Sequence, residues 1–173
     1  MSELFRIEHR DPEAFRRQTR RSTVIVIALF AVLGMALPAL LIGVFGSVGD
    51  SNFGLNLTGV LLAAAITATL VRTVFLKQPW MDAAAYGWRL KRSLMRVTNQ
   101  MHQVKDAVKA GDEQAMLLLR FYHLGLQQMH HLDGNTSDML ELVAEREQLR
   151  EALVERGLAE DQMVLRSEWL EHL

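Results

Sequence analysis

Thr23 to Phe45 reads TVIVIALFAVLGMALPALLIGVF, 23 residues without a charge. At about 1.5 Å of rise per residue, a helix of that length is ~34 Å long, enough to cross a ~30 Å hydrocarbon core with some tilt. A second apolar run, Leu57 to Leu76, has 20 residues and a single charge, Arg72, near its end. That arginine can lay its stem on apolar surface and carry its head to the interface. Lipid requires every backbone group to be satisfied internally, and a helix does so within one segment. The two runs are therefore expected to be transmembrane helices, 23–45 and 57–76. The competing reading is a helical hairpin buried in a soluble core, but runs of 18 or more apolar residues are the membrane signature. A cleaved signal peptide is disfavoured too. The run is longer than a 7–15-residue signal core, and no small-residue cleavage site closes it.

Around this hairpin the composition divides the chain. Of 173 residues, 50% are hydrophobic, 7% aromatic and 23% charged, and Cys is absent. Apolar content on that scale excludes a disordered chain. The lack of Cys excludes a disulfide framework and a Cys-ligated metal. The net charge of −1 is a cancellation. Residues 77–110 hold seven basic and two acidic residues, whereas 111–173 hold five Arg against thirteen acids. The chain is thus apolar, then basic, then acidic, an asymmetry that bears on location and partners.

The flanks orient the spans. Arg16, Arg17, Arg20 and Arg21 precede the first; Arg72, Lys77, Arg89, Lys91 and Arg92 accompany or follow the second; the loop at 46–56 has no Lys or Arg. The positive-inside bias puts both termini in the cytoplasm and the loop in the periplasm. Those nine residues and Trp80 are the expected contacts to anionic lipid headgroups, worth about 1 kcal/mol per basic residue near the surface. The stretch Trp80 to Arg96, with Tyr86 and Trp88 among its cations, reads equally as an interfacial helix or as a stalk with a solvated basic face. Nucleic-acid binding is not expected, because the membrane already accounts for the charge. In the second span Gly59, Ala63 and Thr67 recur at four-residue steps, a face that lets helices approach closely. The first span is the expected partner and a second copy the alternative. Gly34 and Pro38 are expected to kink the first span.

The remainder reads as helices. Asp11-Pro12-Glu13 is an N-cap, a first-turn proline and a first-turn acid, so a basic juxtamembrane helix should start there, within 1–22, and run into the first span. Pro79 should break or kink the helix after the second span, because it lacks an N–H. Tyr86, Leu90, Leu94, Val97, Met101, Val104 and Val108 then form a heptad-like seam. Gly111-Asp112 ends that helix and caps the next, over 113–132, with Ala115, Leu119, Tyr122, Leu126 and Met129 on one face and Leu118 and Phe121 widening it. Asp138 and Glu141 suggest a capping box for a third helix to Arg156, with Met139, Leu142, Val143, Leu149 and Leu153 apolar. A last helix is expected over 160–170, docking through Trp169 and Leu170. No period-two alternation is visible, so no sheet is expected. The fold class is all-α: a two-helix transmembrane hairpin, then a cytoplasmic antiparallel helical bundle over 77–173.

The blocks RRQTRRS (Arg16 to Ser22), QPWMDAAAYGWRLKRSLMRVTN (Gln78 to Asn99) and LLRFYHLGLQQMHHLDGN (Leu118 to Asn135) resemble a family of uncharacterised bacterial inner-membrane proteins, one of the numbered domain-of-unknown-function families. The resemblance covers almost the whole chain. It implies a bacterial inner membrane and supplies no catalytic residues.

Chemistry is sparse. There is no Gly-rich phosphate loop, no G-x-S-x-G elbow and no H-E-x-x-H. His102, His123 and His130 flank the seams of neighbouring helices and are the candidate metal ligands, against the plainer reading of hydrogen-bonded core-flanking histidines. The acidic run Glu141, Glu145, Glu147, Glu151, Glu155, with Arg146, Arg150 and Arg156, reads as a solvated face with i,i+4 pairs. The expectation is therefore a non-catalytic membrane protein presenting a helical interaction or scaffolding module, without a cofactor, with lipid headgroups and a homo-oligomer or protein as partners. The alternatives are a metal-dependent enzyme or sensor built on the histidines, and a small oligomeric transport subunit.

Overall fold

The computed structural model of the chain describes residues 2–47, 51–135 and 140–172, the side chains of 140–142 excepted. In chain order it contains β1 (Glu3–Arg6), α1 (Pro12–Phe45), α2 (Phe53–Thr73), α3 (Asp82–Thr98), α4 (Met101–Lys109), α5 (Glu113–Asp133), α6 (Leu140–Glu155), β2 (Val164–Arg166) and α7 (Ser167–Glu171). The chain is predominantly helical and divides into two compact units, Arg17–Ala85 and Met1–Arg16 together with Tyr86–Leu173.

The first unit is the hairpin. α1 begins as its sequence dictates, with the Asp11 carboxylate accepting from the Ala14 N–H at 2.7 Å and Pro12 in the first turn. It then continues for 34 residues with Pro38 in its interior. Pro12–Phe45 and Phe53–Lys77 are long and apolar enough to cross a membrane, and only 6% and 17% of their most apolar stretches are buried. A helix in the core of a soluble protein would be mostly buried. The few buried positions of α2 are Gly59, Ala63 and Thr67, the small-residue face. A Cβ added to Gly59 would lie 2.5 Å from the Pro38 nitrogen and 2.6 Å from its Cα. The first span is thus the partner of that face, and glycine is what permits the approach. α2 ends at Thr73, and two single turns of 3-10 helix, Phe75–Lys77 and Pro79–Met81, lead into α3. Pro79 opens the second of these turns, where its missing N–H is tolerated, while α2 has already ended six residues before it.

The second unit is a helical bundle closed by strands from opposite ends of the chain. α4, α5 and α6 pack in sequence, and β1 pairs antiparallel with β2 in the register Phe5↔Leu165 and Arg6↔Val164. The core includes Tyr86, Leu90, Leu94, Val97, Val104, Leu118, Phe121, Leu132, Leu153 and Leu165, all nearly or fully excluded from solvent. Gly111 and Gly134 take positive φ, 85° and 71°, and terminate α4 and α5. At Gly111 the Asp112 N–H returns to the Ala107 carbonyl, and the Asp112 side chain caps α5 by accepting from the Ala115 N–H at 2.7 Å.

Four expectations are corrected. A sheet exists, but its strands have four and three residues, too short to show a period-two pattern, and they meet only through tertiary pairing. The final helix is half strand: β2 occupies Val164–Arg166, leaving α7 five residues long. The single helix expected from Tyr86 to Val108 is interrupted at Asn99 and Gln100, where Gln100 has φ −114° and ψ 14°. The buried face of α5 departs from the expected one in its second half. Ala115, Leu118, Leu119 and Phe121 are buried as expected, but Gly125, Gln128 and Leu132 continue the face inward, while Tyr122, Leu126 and Met129 are half-buried. Gly125 faces Leu94, Leu90 and Ile7, and the Gln128 amide donates to the Glu8 carbonyl at 3.0 Å. Neither residue carries an apolar signal, so the true face is invisible to periodicity. The Asp138 capping box, Met139 and the side chain of Leu142 lie outside the described residues.

Candidate functional site

Within the hairpin unit, the basic residues collect at the end away from residues 46–52. Arg17, Arg20 and Arg21 lie on α1 ahead of the apolar run. Arg72 lies in the last turn of α2 and Lys77 ends the first 3-10 turn. All five are exposed, and among the described residues none makes an ion pair. One contact joins the two sides of this collar. The buried Ser22 hydroxyl donates to the Trp80 carbonyl at 2.7 Å, with the Gln18 carbonyl at 2.9 Å as its second acceptor. Trp80 packs its ring against Phe75, centroids 5.2 Å apart. The same end of the hairpin thus carries five exposed cations and a half-buried indole, a combination suited to phosphate oxygens and the interfacial zone of a bilayer. Ser22 and Phe75 were not singled out from the sequence. A lone serine between Arg21 and the apolar run gives no sign of a partner 58 residues away.

The other residues expected at headgroups belong to the second unit. Arg16 lies at the C-terminal end of α5, its guanidinium donating to the Leu132 carbonyl at 3.3 Å beside Gly134. It satisfies a terminal carbonyl and opposes the negative end of the helix dipole, a structural task. Arg89, Lys91 and Arg92 are exposed on α3, with the Arg92 guanidinium 5.1 Å from the Trp88 ring centroid.

The three candidate metal ligands are not brought together. His102 is exposed on α4, its Nδ1 3.0 Å from an Asp106 oxygen. His123 is buried, its Nδ1 without a hydrogen-bond partner. Burial pushes its pKa down to about 4, Glu145 opposes, and Arg120, Lys105 and Arg146 add to the downward shift, so the ring is neutral near pH 7. His130 is half-buried in the last turn of α5. Among the described residues no group of three or more His, Cys, Asp or Glu could hold a metal ion.

The second unit is tied together by polar contacts that also reach the chain termini. The Tyr86 hydroxyl accepts from the Glu8 N–H at 3.0 Å and lies 3.3 Å from the Glu8 carbonyl, and Arg10 stacks 4.2 Å from its ring centroid. Burial raises the Tyr86 pKa. Arg120, buried on α5, donates through Nε to the Glu160 carbonyl at 2.6 Å. The acidic face of α6 is matched by i,i+3 and inter-helix pairs, Glu147–Arg150 at 2.8 Å and Glu145–Lys105 at 2.8 Å, in place of the expected i,i+4 pattern.

A family model described as a protein of unknown function (DUF3087) matches residues 5–170, and the chain belongs to that family. No curated protein and no solved structure matches the chain.

Proposed function

We propose that this chain is a non-catalytic protein of the bacterial inner membrane, crossing the bilayer twice with both ends in the cytoplasm. The hairpin and its basic collar anchor the chain. The unit built from Met1–Arg16 and Tyr86–Leu173 is an interaction or scaffolding module held at the membrane surface. The observation that carries this reading is the inverted exposure of the hairpin: apolar residues such as Ile27, Val32, Met35 and Leu61 face outward, and small ones face inward. That distribution suits lipid as the solvent. Arg17, Arg20, Arg21, Arg72, Lys77 and Trp80 then meet anionic headgroups on the cytoplasmic side.

Fusion reporters test the topology. A reporter active only in the cytosol should work at the carboxy terminus, and one active only in the periplasm should work when inserted between residues 46 and 52. A carboxy-terminal fusion active only in the periplasm would overturn the reading.

A further inference from the structure

Among the described residues of the module, four large apolar side chains are exposed: Leu4, Trp88, Met95 and Val154. Two of them sit in the same frame with opposite charge. Arg92-Ser-Leu-Met-Arg96 on α3 sets Met95 between two arginines; Glu151-Ala-Leu-Val-Glu155 on α6 sets Val154 between two glutamates at the same spacing. The third residue of each frame, Leu94 or Leu153, is buried, so both frames turn the same side outward. Met95 is 56% exposed and Val154 53%. Residues four apart are neighbours on a helix surface. Each frame is therefore an apolar knob bracketed by like charges.

Among the described residues, Arg96, Glu151 and Glu155 make no ion pair or hydrogen bond, and Arg92 has only its stacking on Trp88. Elsewhere on α6 the acids are matched, Glu145 by Lys105 and Glu147 by Arg150.

We propose that the α3 frame of one copy docks on the α6 frame of a second copy of this chain. Met95 then covers Val154, and Arg92 and Arg96 face Glu151 and Glu155. The complementary half is present on every copy, and both halves lie on the outside of one module, so each chain needs another to satisfy them. The contact is head-to-tail and leaves one frame free at each end, giving a ring if the rotation closes and a row if it does not. Exposed pairs of this kind set register and partner choice more than affinity.

The chain has no Cys, which makes the test clean. Full-length Met95→Cys and Val154→Cys proteins, reconstituted together in neutral phospholipid vesicles and oxidised mildly, should give a disulfide-linked dimer many-fold above either variant alone. Adding Glu151→Lys and Glu155→Lys to the Val154→Cys chain should abolish it. Adding Arg92→Glu and Arg96→Glu to the Met95→Cys chain should then restore it. All these positions are solvent-facing, and circular dichroism verifies that the helices are retained. No linked product, equal yield from one variant alone, or a yield indifferent to charge reversal would overturn the proposal. So would shielding of Met95→Cys from a water-soluble thiol reagent by anionic vesicles without crosslinking, which would make lipid the occupant. The readout does not depend on whether the hairpin spans the bilayer.

Discussion

The hairpin and the module are both helical, yet they bury opposite kinds of residue. In the module Tyr86, Leu118, Phe121 and Leu153 are inside and the charges outside. In the hairpin Gly59, Ala63 and Thr67 are inside, while Val24, Ile27, Val32 and Leu61 are outside. On the membrane reading proposed above, the contrast follows from the solvent each part is built for. Water drives large apolar side chains into a core, with roughly 25 cal/mol gained per Å² of apolar surface removed. Lipid gives no such drive, and close backbone packing takes its place.

Substitutions that treat the two regions alike break this contrast most sharply. Phe121→Ala should cost the module about 3–5 kcal/mol, seen as a large drop in its unfolding midpoint by circular dichroism in detergent. Val32→Ala, at a position 60% exposed on the hairpin, should leave that midpoint where it was. Similar small effects from both would show that the module core is not organised around Phe121.

Acid should separate the regions next. The folded pKa of His123 is pushed down to about 4 from the ordinary histidine value of 6.5, so the unfolded chain takes up the proton first as pH falls. The stability tied to the neutral ring is complete above about pH 6.5 and is lost progressively toward pH 4, by up to about 3 kcal/mol. His123→Gln should flatten this slope in pH-dependent unfolding of the module. An unchanged slope would place the pH sensitivity elsewhere.

Within the hairpin, Gly59→Ala should cost about 1–3 kcal/mol through overpacking against Pro38. Gly34→Ala should be neutral, since a Cβ there meets nothing within 4 Å. Thermal stability in detergent micelles distinguishes them, and equal behaviour would refute the Gly59–Pro38 contact. The smallest expected effect is Arg16→Ala, about 0.3–1 kcal/mol in the module, from loss of its place at the end of α5. A Lys there should recover part of it, whereas a Glu should lose more.

The two regions also differed in how plainly their sequences spoke. The two long apolar helices, the Asp11 and Asp112 caps, the Gly111 and Gly134 stops and the seam through Tyr86, Leu90, Leu94 and Val97 follow from length, local chemistry and spacing, and each is present in the structure. What escaped depends on distant pairing. β1 and β2 are three or four residues each and meet across almost the full chain length. The α5 core face runs through Gly125 and Gln128, whose roles come from Leu94 and Glu8 rather than from their own polarity. The collar was legible residue by residue, but the Ser22 bond that joins its halves was not, and Arg16 left it for the end of a helix 116 residues away. The histidine set failed because a shared helix face fixes direction and not proximity.

Leu4 and Phe30 carry the central claim to one direct measurement. Leu4, in the module, is 39% exposed, and Phe30, in the hairpin, is 38% exposed. In a chain without native Cys, each can be replaced by Cys and treated in opened membrane vesicles with a water-soluble maleimide that does not enter lipid. The account predicts rapid labelling of Leu4→Cys and almost none of Phe30→Cys, with detergent-free solvent reaching one and hydrocarbon covering the other. Equal labelling rates would place the hairpin in water and contradict it.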